Sequence, residues 1–118
     1  MKASKIMYYK KINNTDPDHV HEIAESVRIN GWQGAPILVM ESFGILITGS
    51  HRLAALKELE DDLFDIDGLG DVAEPVDDII NAWCESNDCV IDDIRFDCLS
   101  EIFADTWVEQ YKDEIVEW

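Results

Sequence analysis

The residues of this chain best suited to chemistry lie in one short segment, Thr48-Gly49-Ser50-His51-Arg52. A glycine lets backbone approach a ligand closely, while the hydroxyl, imidazole and guanidinium groups that follow it can donate hydrogen bonds to an anion. At the start of a helix the first N–H groups have no intrahelical partner, and the helix dipole favours negative charge. The segment therefore predicts a phosphate-binding turn. The alternative is a capping turn whose His51 and Arg52 are only solvated.

Other candidates for chemistry precede this turn. Glu22 and Glu25 are three residues apart, so both can face one side of a helix, and a carboxylate is needed to orient the attacking hydroxyl in phosphoryl transfer. Exposed helix faces also carry glutamates without such a role. His19 and His21 are two residues apart and point in different directions on a helix, which argues against joint metal binding. Trp32 can stack on a base or fill the core.

Aspartates and cysteines offer further candidate metal ligands. Adjacent aspartates stand at positions 61–62, 77–78 and 92–93, but their spacing fits no calcium-binding loop, so a solvated acidic face is the favoured interpretation. The three cysteines form no Cys-x-x-Cys pair and have no histidine nearby, which favours free thiols over a disulfide framework or a zinc site. No metal site is predicted.

The turn is expected between a strand and a helix. Residues 37–40 and 45–47 are short apolar runs joined by four residues, which predicts a β-hairpin. Residues 51–59 have the alanine and leucine content of a helix. Before the hairpin, Asp16-Pro17 suits the N-cap and first position of a helix, and the apolar spacing predicts that this helix spans residues 17–30.

The flanking segments are assigned from turn residues and apolar spacing. A first strand is predicted over residues 5–12, and residues 60–74 are expected to form a loop with a short strand at 63–66. The C-terminal part is predicted to form helices at 75–84, at 90–96 and, as a longer amphipathic helix, at 99–116.

Length and composition predict one domain, and the predicted mixture of strands and helices makes it an α+β domain. The 118 residues, 47% of them apolar, suit a single hydrophobic core. Within it, residues 1–60 are expected to form the core that carries the phosphate-binding turn, and residues 61–118 an acidic, all-helical extension packed on that core. No apolar stretch approaches the roughly 20 residues that cross a bilayer, and the N-terminus lacks a signal-peptide pattern. We therefore expect a cytoplasmic protein.

Charge is divided unevenly along the chain. Residues 1–59 contain seven Lys or Arg and six Asp or Glu, for +1, whereas residues 60–118 contain two and twenty, for −18, giving the net −17. Such an acidic half repels nucleic acid, so direct DNA binding is disfavoured. Two interpretations stay open. The charge serves solubility, or residues 60–118 bind a basic protein partner in the manner of a DNA mimic.

Three segments give the chain a resemblance to a known superfamily. They are Glu22-Ile23-Ala24-Glu25-Ser26-Val27, Pro36-Ile37-Leu38-Val39 and Gly49-Ser50-His51-Arg52-Leu53-Ala54-Ala55. In order and spacing they resemble the ParB/sulfiredoxin superfamily, specifically small proteins with a ParB N-terminal-like (ParB-like nuclease) domain, over about residues 5–60. The resemblance implies a small mixed sheet with helices. It also implies that Gly49 to Arg52 bind nucleotide phosphates, those of ATP or CTP together with Mg²⁺.

The chain also departs from the superfamily's patterns. ParB proteins have Gly-Glu-Arg-Arg where this chain has Gly49-Ser50-His51-Arg52, and they continue into a DNA-reading helical domain that is replaced here by the acidic segment. Sulfiredoxins have a cysteine at the position of Ser50, and a serine without an activating base cannot replace a thiolate. Neither chromosome partitioning nor sulfiredoxin activity is therefore expected.

The expected function is nucleotide binding, with phosphotransfer or hydrolysis dependent on ATP or CTP as the reaction if the protein is an enzyme. Glu22 and Glu25 are then the candidate catalytic carboxylates. The alternative is a non-enzymatic acidic protein that binds a basic protein surface. Nuclease activity, a label used in the superfamily, has little support from the residues, because no convergent metal-binding carboxylates lie near the turn in sequence.

Overall fold

Helices and short strands alternate in a computed structural model that describes residues 1–10, 14–88 and 99–113. Over these ranges the elements are α1 (Pro17–Asn30), β1 (Ile37–Met40), β2 (Ile45–Leu46), α2 (Ser50–Asp61), β3 (Ala73–Pro75), α3 (Asp77–Asn87) and α4 (Leu99–Ile102), with short 3-10 helices between several of them. The α+β class is confirmed, as are the helix at 17–30, the hairpin and the helix that follows Gly49.

The sheet has β1 at its centre, with β2 paired antiparallel on one side and β3 paired parallel on the other. Successive side chains of a strand point to opposite faces. Ile37 and Val39 therefore belong to the core cluster that includes α1 and α2 residues, while Leu38 and Met40 belong to a second cluster with α3 and the C-terminal segment. Burial on both faces explains the uninterrupted apolar run of β1.

The ends of α1 follow directly from its sequence. The Asp16 carboxylate accepts the Asp18 N–H at 3.0 Å, and Pro17 occupies the first turn, where its missing N–H removes no helical hydrogen bond. Gly31, at φ +76°, ends the helix and donates its N–H to the Val27 carbonyl at 2.9 Å. Apolar spacing and capping together therefore define both ends of this helix.

Asp77 fastens α3 to the hairpin loop. Its carboxylate accepts the N–H groups of Glu41 and Ser42 at 2.8 and 2.9 Å, and the Ser42 hydroxyl at 2.6 Å. Burial by itself would raise the pKa of this carboxyl, but the hydrogen bonds from Ser42 and Glu41 outweigh burial and lower the pKa. The two halves of the chain are thus joined by hydrogen bonds as well as by the sheet.

The strand predicted over residues 5–12 is wrong for the residues that the structure describes. Ala3–Lys5 is a 3-10 helix followed by turns, and Lys10 makes only an isolated bridge with Ile45. Ala3, Ile6 and Met7 are buried together, and this spacing of three and four residues fits a helical turn better than an alternating strand. Residues 11 and 12 lie outside the described ranges.

The second half of the chain is not all-helical, contrary to expectation. Asp62 and Leu63 form a turn, the 3-10 helix Ile66–Leu69 follows, and β3 is the strand in the described part of this half. Three residues are too few for a periodic pattern, so only pairing with β1 defines β3. The helix expected at 75–84 is α3, at Asp77–Asn87.

The long helix predicted over residues 99–116 is also wrong. α4 ends at Ile102, and a 3-10 helix at Trp107–Tyr111 follows a turn in which Asp105 has φ +61°. Thr106 starts this second helix, because its Oγ1 accepts the Val108 N–H at 3.3 Å and donates to the Phe103 carbonyl at 2.7 Å. Residues 114–116, and the helix predicted at 90–96, lie outside the described part of the chain.

Candidate functional site

Gly49 forms the turn between the hairpin and α2 in a left-handed conformation, with φ +89° and ψ 30°. A Cβ atom at this position would lie 2.9 Å from Cγ1 of Ile37, a side chain with no exposed surface in β1. Glycine is therefore required twice, for the backbone conformation and for the close approach to the central strand. The sequence prediction of a strand–glycine–helix turn is confirmed.

The two hydroxyl side chains of the turn are buried. Thr48 is 4% exposed, and its Oγ1 accepts the N–H of Leu38 at 3.2 Å, which ties the turn to β1. Ser50 is only 2% exposed. The hydroxyl that the sequence offered to a ligand is thus buried, whereas His51 and Arg52 are half-buried.

His51 connects the start of α2 to the start of α1. Its Nε2 accepts the backbone N–H of Asp16 at 3.1 Å, and its ring meets that of His19 edge-on, with 4.9 Å between centroids. Because an accepting Nε2 carries no proton, the neutral ring holds its proton on Nδ1, which remains a hydrogen-bond donor. The imidazole predicted at the turn is therefore held there by two contacts from α1.

α1 and α2 run in the same direction, so their N-termini lie side by side. His19 meets His51 at the first turns, His21 Nδ1 lies 3.1 Å from a Glu58 oxygen further along, and Arg28 Nη2 donates to Asp62 at 2.9 Å at the far ends. The contacts occur in the same order along both helices. The positive ends of two helix dipoles consequently converge at the His19 and His51 pair.

Arg52 holds the loop between α1 and β1 against the turn. Its guanidinium donates to the carbonyl oxygens of Ala35 and, at 3.0 Å, Gln33, and its Cζ atom lies 3.8 Å from the ring centroid of Trp32. Arg52 therefore carries a permanent positive charge from the first turn of α2 to the loop that contains Trp32. The guanidinium also donates hydrogen bonds to two carbonyl groups of the loop, so Arg52 holds the loop in place as well as carrying a positive charge.

The two glutamates predicted as candidate catalytic groups point to different surroundings. Glu22 is exposed and lies 3.9 Å from Nδ1 of His19, the histidine that contacts His51. Glu25 lies 3.5 Å from Nε of Arg28, which belongs to the opposite ends of the two helices. Of the two, Glu22 is therefore the carboxylate nearer to the turn.

Metal-ligand geometry is lacking in the described residues. No group of three or more His, Cys, Asp or Glu side chains within them is arranged to hold a metal ion. His19 contacts His51 while His21 contacts Glu58, so the two histidines diverge as predicted. Among the aspartate pairs, Asp62 binds Arg28 and Asp77 clamps the hairpin loop, whereas the pair at 92–93 lies outside the described residues.

Sequence reasoning missed how Asp16, Gln33 and Ala35 contribute to this region. All three act through backbone atoms, which no side-chain pattern reveals. Trp32 was considered as a base-stacking or core residue, and it is half-buried beneath Arg52. The only signal for this arrangement was the glycine-rich run from Gly31 to Gly34, which predicts a loop free to approach the turn.

Comparisons with known proteins add no assignment to this geometry. No protein-family model matches the chain, and neither a curated protein nor a solved structure matches it. Within the described ranges, every helix is too short or too polar to pass through a lipid bilayer.

Proposed function

We propose that this chain binds the phosphate groups of a nucleotide at the paired N-termini of α1 and α2. The observation that carries the proposal is the parallel arrangement of the two helices, which brings both helix starts together at His19 and His51, with Arg52 next to His51 in the first turn of α2. Backbone N–H groups at a helix start bind anions without any charged side chain, and a guanidinium beside them adds charge that does not depend on pH.

Acidic groups offset only one of the two helix starts. Asp16 caps α1 and Asp18 lies in its first turn, whereas α2 begins after Gly49 with no side-chain cap and no acidic residue in its first turn. His51 presents Nδ1–H as a hydrogen-bond donor beside the start of α2. The start of α2 is therefore the better of the two places for an anion.

The nucleotide is proposed to be ATP or CTP with Mg²⁺, following the resemblance to the ParB/sulfiredoxin superfamily. The helix–strand–glycine turn–helix order of the resembling segments supports that relationship as a proposal. If the bound nucleotide reacts, phosphotransfer or hydrolysis is the proposed chemistry, with Glu22 the better placed of the two candidate carboxylates. Trp32, half-buried beside Arg52, is the aromatic surface closest to the guanidinium.

The test is titration of the chain with pyrophosphate, ATP and CTP, each with and without Mg²⁺. The thermal unfolding temperature is measured at each ligand concentration. We expect a saturable rise for at least one of the three, because a ligand that binds only the folded state stabilises it. Arg52→Gln should weaken the effect at least about tenfold, the loss expected for one charge-assisted contact. Lys57→Gln removes the same charge further along α2 and should leave binding unchanged.

Two results would count against nucleotide binding. The first is no shift in unfolding temperature at millimolar concentrations of all three anions. The second is equal loss of binding in the Arg52→Gln and Lys57→Gln variants, which would indicate general charge attraction rather than a site at the turn. Binding of pyrophosphate without preference for ATP or CTP would reduce the proposal to phosphate recognition.

A second candidate function rests on the charge of the second half. In the described part of residues 60–113, twelve carboxylate side chains are exposed, namely Glu60, Asp61, Asp62, Asp65, Asp71, Glu74, Asp78, Glu85, Asp88, Glu101, Asp105 and Asp113. We propose that this surface binds a basic protein partner. Partners recovered by pull-down should then be basic and be released by about 0.5 M salt, because screening shortens the range of surface electrostatics. Partners retained unchanged in high salt would contradict it.

A further inference from the structure

A cavity of about 350 Å³ opens between the loop after α1 and the C-terminal segment. Three aromatic side chains, Trp32, Trp107 and Tyr111, line it together with two carboxylates, Asp71 and Glu74. None of the residues that line it is basic, and it includes no residue of the Thr48 to Arg52 turn. Its size is within the range of small-molecule sites. The cavity is therefore chemically distinct from the proposed phosphate site.

Each wall of the cavity belongs to an anchored element. Trp107 and Tyr111 lie on the 3-10 helix that Thr106 caps, and the fully buried Val108 holds this helix to the core. The two rings are nearly perpendicular, at 84° and 6.5 Å between centroids, so they form a corner. Glu74 belongs to β3, opposite Leu38 of β1 in the sheet. The aromatic and acidic walls are thus held in place before any ligand arrives.

Two of the lining residues already bind cations from this chain. The guanidinium of Arg52 lies over the Trp32 ring at 3.8 Å, and the N-terminal ammonium of Met1 lies 3.4 Å from Asp71. Glu74 is exposed and makes no ion pair or hydrogen bond with another side chain in the described ranges. The Trp107 side chain is 42% exposed, so much of its ring is not used in packing the core. Negative charge and aromatic surface are therefore left over after the internal contacts are made.

We propose that this cavity binds an organic cation, a guanidinium or an alkylated ammonium group. Aromatic faces attract such cations through their quadrupoles, and the attraction is greatest where water is partly excluded. Glu74 supplies the opposing charge, because Asp71 already pairs with the Met1 ammonium. A phosphate or carboxylate would instead meet the like charge of Glu74, and a purely apolar ligand would desolvate this carboxylate without compensation. The cation comes either as a free small molecule or as a side chain of the basic partner proposed above.

The experiment is an NMR titration of the ¹⁵N-labelled chain with choline, following the indole N–H resonances of Trp32 and Trp107. We expect saturable shifts of both at millimolar choline, with little change for Trp83, which does not line the cavity. The neutral isostere 3,3-dimethylbutan-1-ol has the same shape without the charge. It should bind at least about tenfold more weakly, because the cation–π and ionic attractions are lost.

Matched variants locate the binding. Glu74→Gln should weaken choline binding several-fold, whereas Glu85→Gln, which removes an exposed carboxylate from α3, should not.

Titrations with methylguanidinium and with a blocked Gly-Arg-Gly peptide distinguish a free small cation from a side chain of a protein partner. A peptide that binds about tenfold tighter than methylguanidinium indicates a protein partner, and the reverse order indicates a free cation.

Three results would overturn the proposal. They are equal affinity for choline and its neutral isostere, shifts no larger than those caused by equal NaCl, and equal effects of Glu74→Gln and Glu85→Gln. The comparison of choline with its isostere uses the native chain, so a folding defect in a variant does not affect it. The cavity and the phosphate site are tested separately, since choline contains no phosphate group and pyrophosphate contains no organic cation.

Discussion

Replacing Gly49 by alanine tests how tightly the turn is built against the sheet. The variant places a side chain in a left-handed conformation, which costs about 1–2 kcal/mol for a residue with a Cβ atom. It also brings that Cβ to 2.9 Å from Cγ1 of Ile37 and 3.3 Å from Cγ2. Ile37 is fully buried, so relief requires movement of the core, for which overpacking costs about 1–3 kcal/mol. The expected loss is therefore about 2–5 kcal/mol.

Gly44 provides a matched control for this prediction. It is also left-handed, at φ +62° and ψ 39°, but a Cβ there would meet only Tyr9 Cδ1, at an ordinary contact distance of 4.0 Å. Gly44→Ala should therefore lose only the backbone part, about 1–2 kcal/mol. The difference between the two variants, about 1–3 kcal/mol, measures the contact with Ile37.

Urea unfolding followed by circular dichroism gives the free energies of unfolding by linear extrapolation. A second arm combines Gly49→Ala with Ile37→Ala, which removes the γ-carbons that clash. The double variant should be about 1–3 kcal/mol more stable than the sum of the single losses predicts. Equal losses for Gly49→Ala and Gly44→Ala, together with additive behaviour of the double variant, would refute a turn built against β1.

Three further variants test the contacts described above, each by urea unfolding at constant ionic strength. Arg52→Gln should lose about 1–3 kcal/mol, because it removes two hydrogen bonds to loop carbonyls and the stacking on Trp32; a loss equal to that of Lys57→Gln would contradict the role of Arg52 in holding the loop. Asp77→Asn should lose about 1–2 kcal/mol at pH 7. Because the folded pKa of Asp77 lies below its unfolded value of 3.8, the native chain should lose this stability as the pH falls below about 4, whereas the variant should not. Identical pH profiles for the two proteins would contradict the role of the Asp77 carboxylate. Thr106→Ala should lose about 1 kcal/mol from its capping bond, and an unchanged midpoint would show that the cap is dispensable.

Local sequence was sufficient where a segment carries its own start and stop signals. The helix from Pro17 to Asn30 has a capping aspartate, a proline in its first turn and a terminating glycine, so its limits match the prediction. The hairpin and the glycine turn were likewise predicted from short-range patterns. Such elements depend mainly on neighbours within a few residues, which is the distance over which sequence patterns are informative.

Prediction failed where pairing with distant residues decides the conformation. β3 is three residues long and exists because β1 offers it a parallel partner. The apolar stripe of residues 99–113 fits a helix, yet the chain turns at Asp105 and begins again at Thr106, because Phe103 and Val108 both reach the same buried cluster. Core packing outweighs intrinsic helix propensity, since propensity is worth only a few tenths of a kcal/mol per residue.

The sequence by itself determined the α+β class, the two main helices, the hairpin, and the position of Gly49 between a strand and a helix. It also determined the charge asymmetry that distinguishes the two halves. Only the tertiary structure decided that α1 and α2 lie parallel with His19 against His51, that Arg52 is bound to the loop carrying Trp32, and that Trp107 and Tyr111 share a cavity with Glu74. The physical reason is that these contacts join residues far apart in the chain, and their geometry depends on how the helices pack on the sheet.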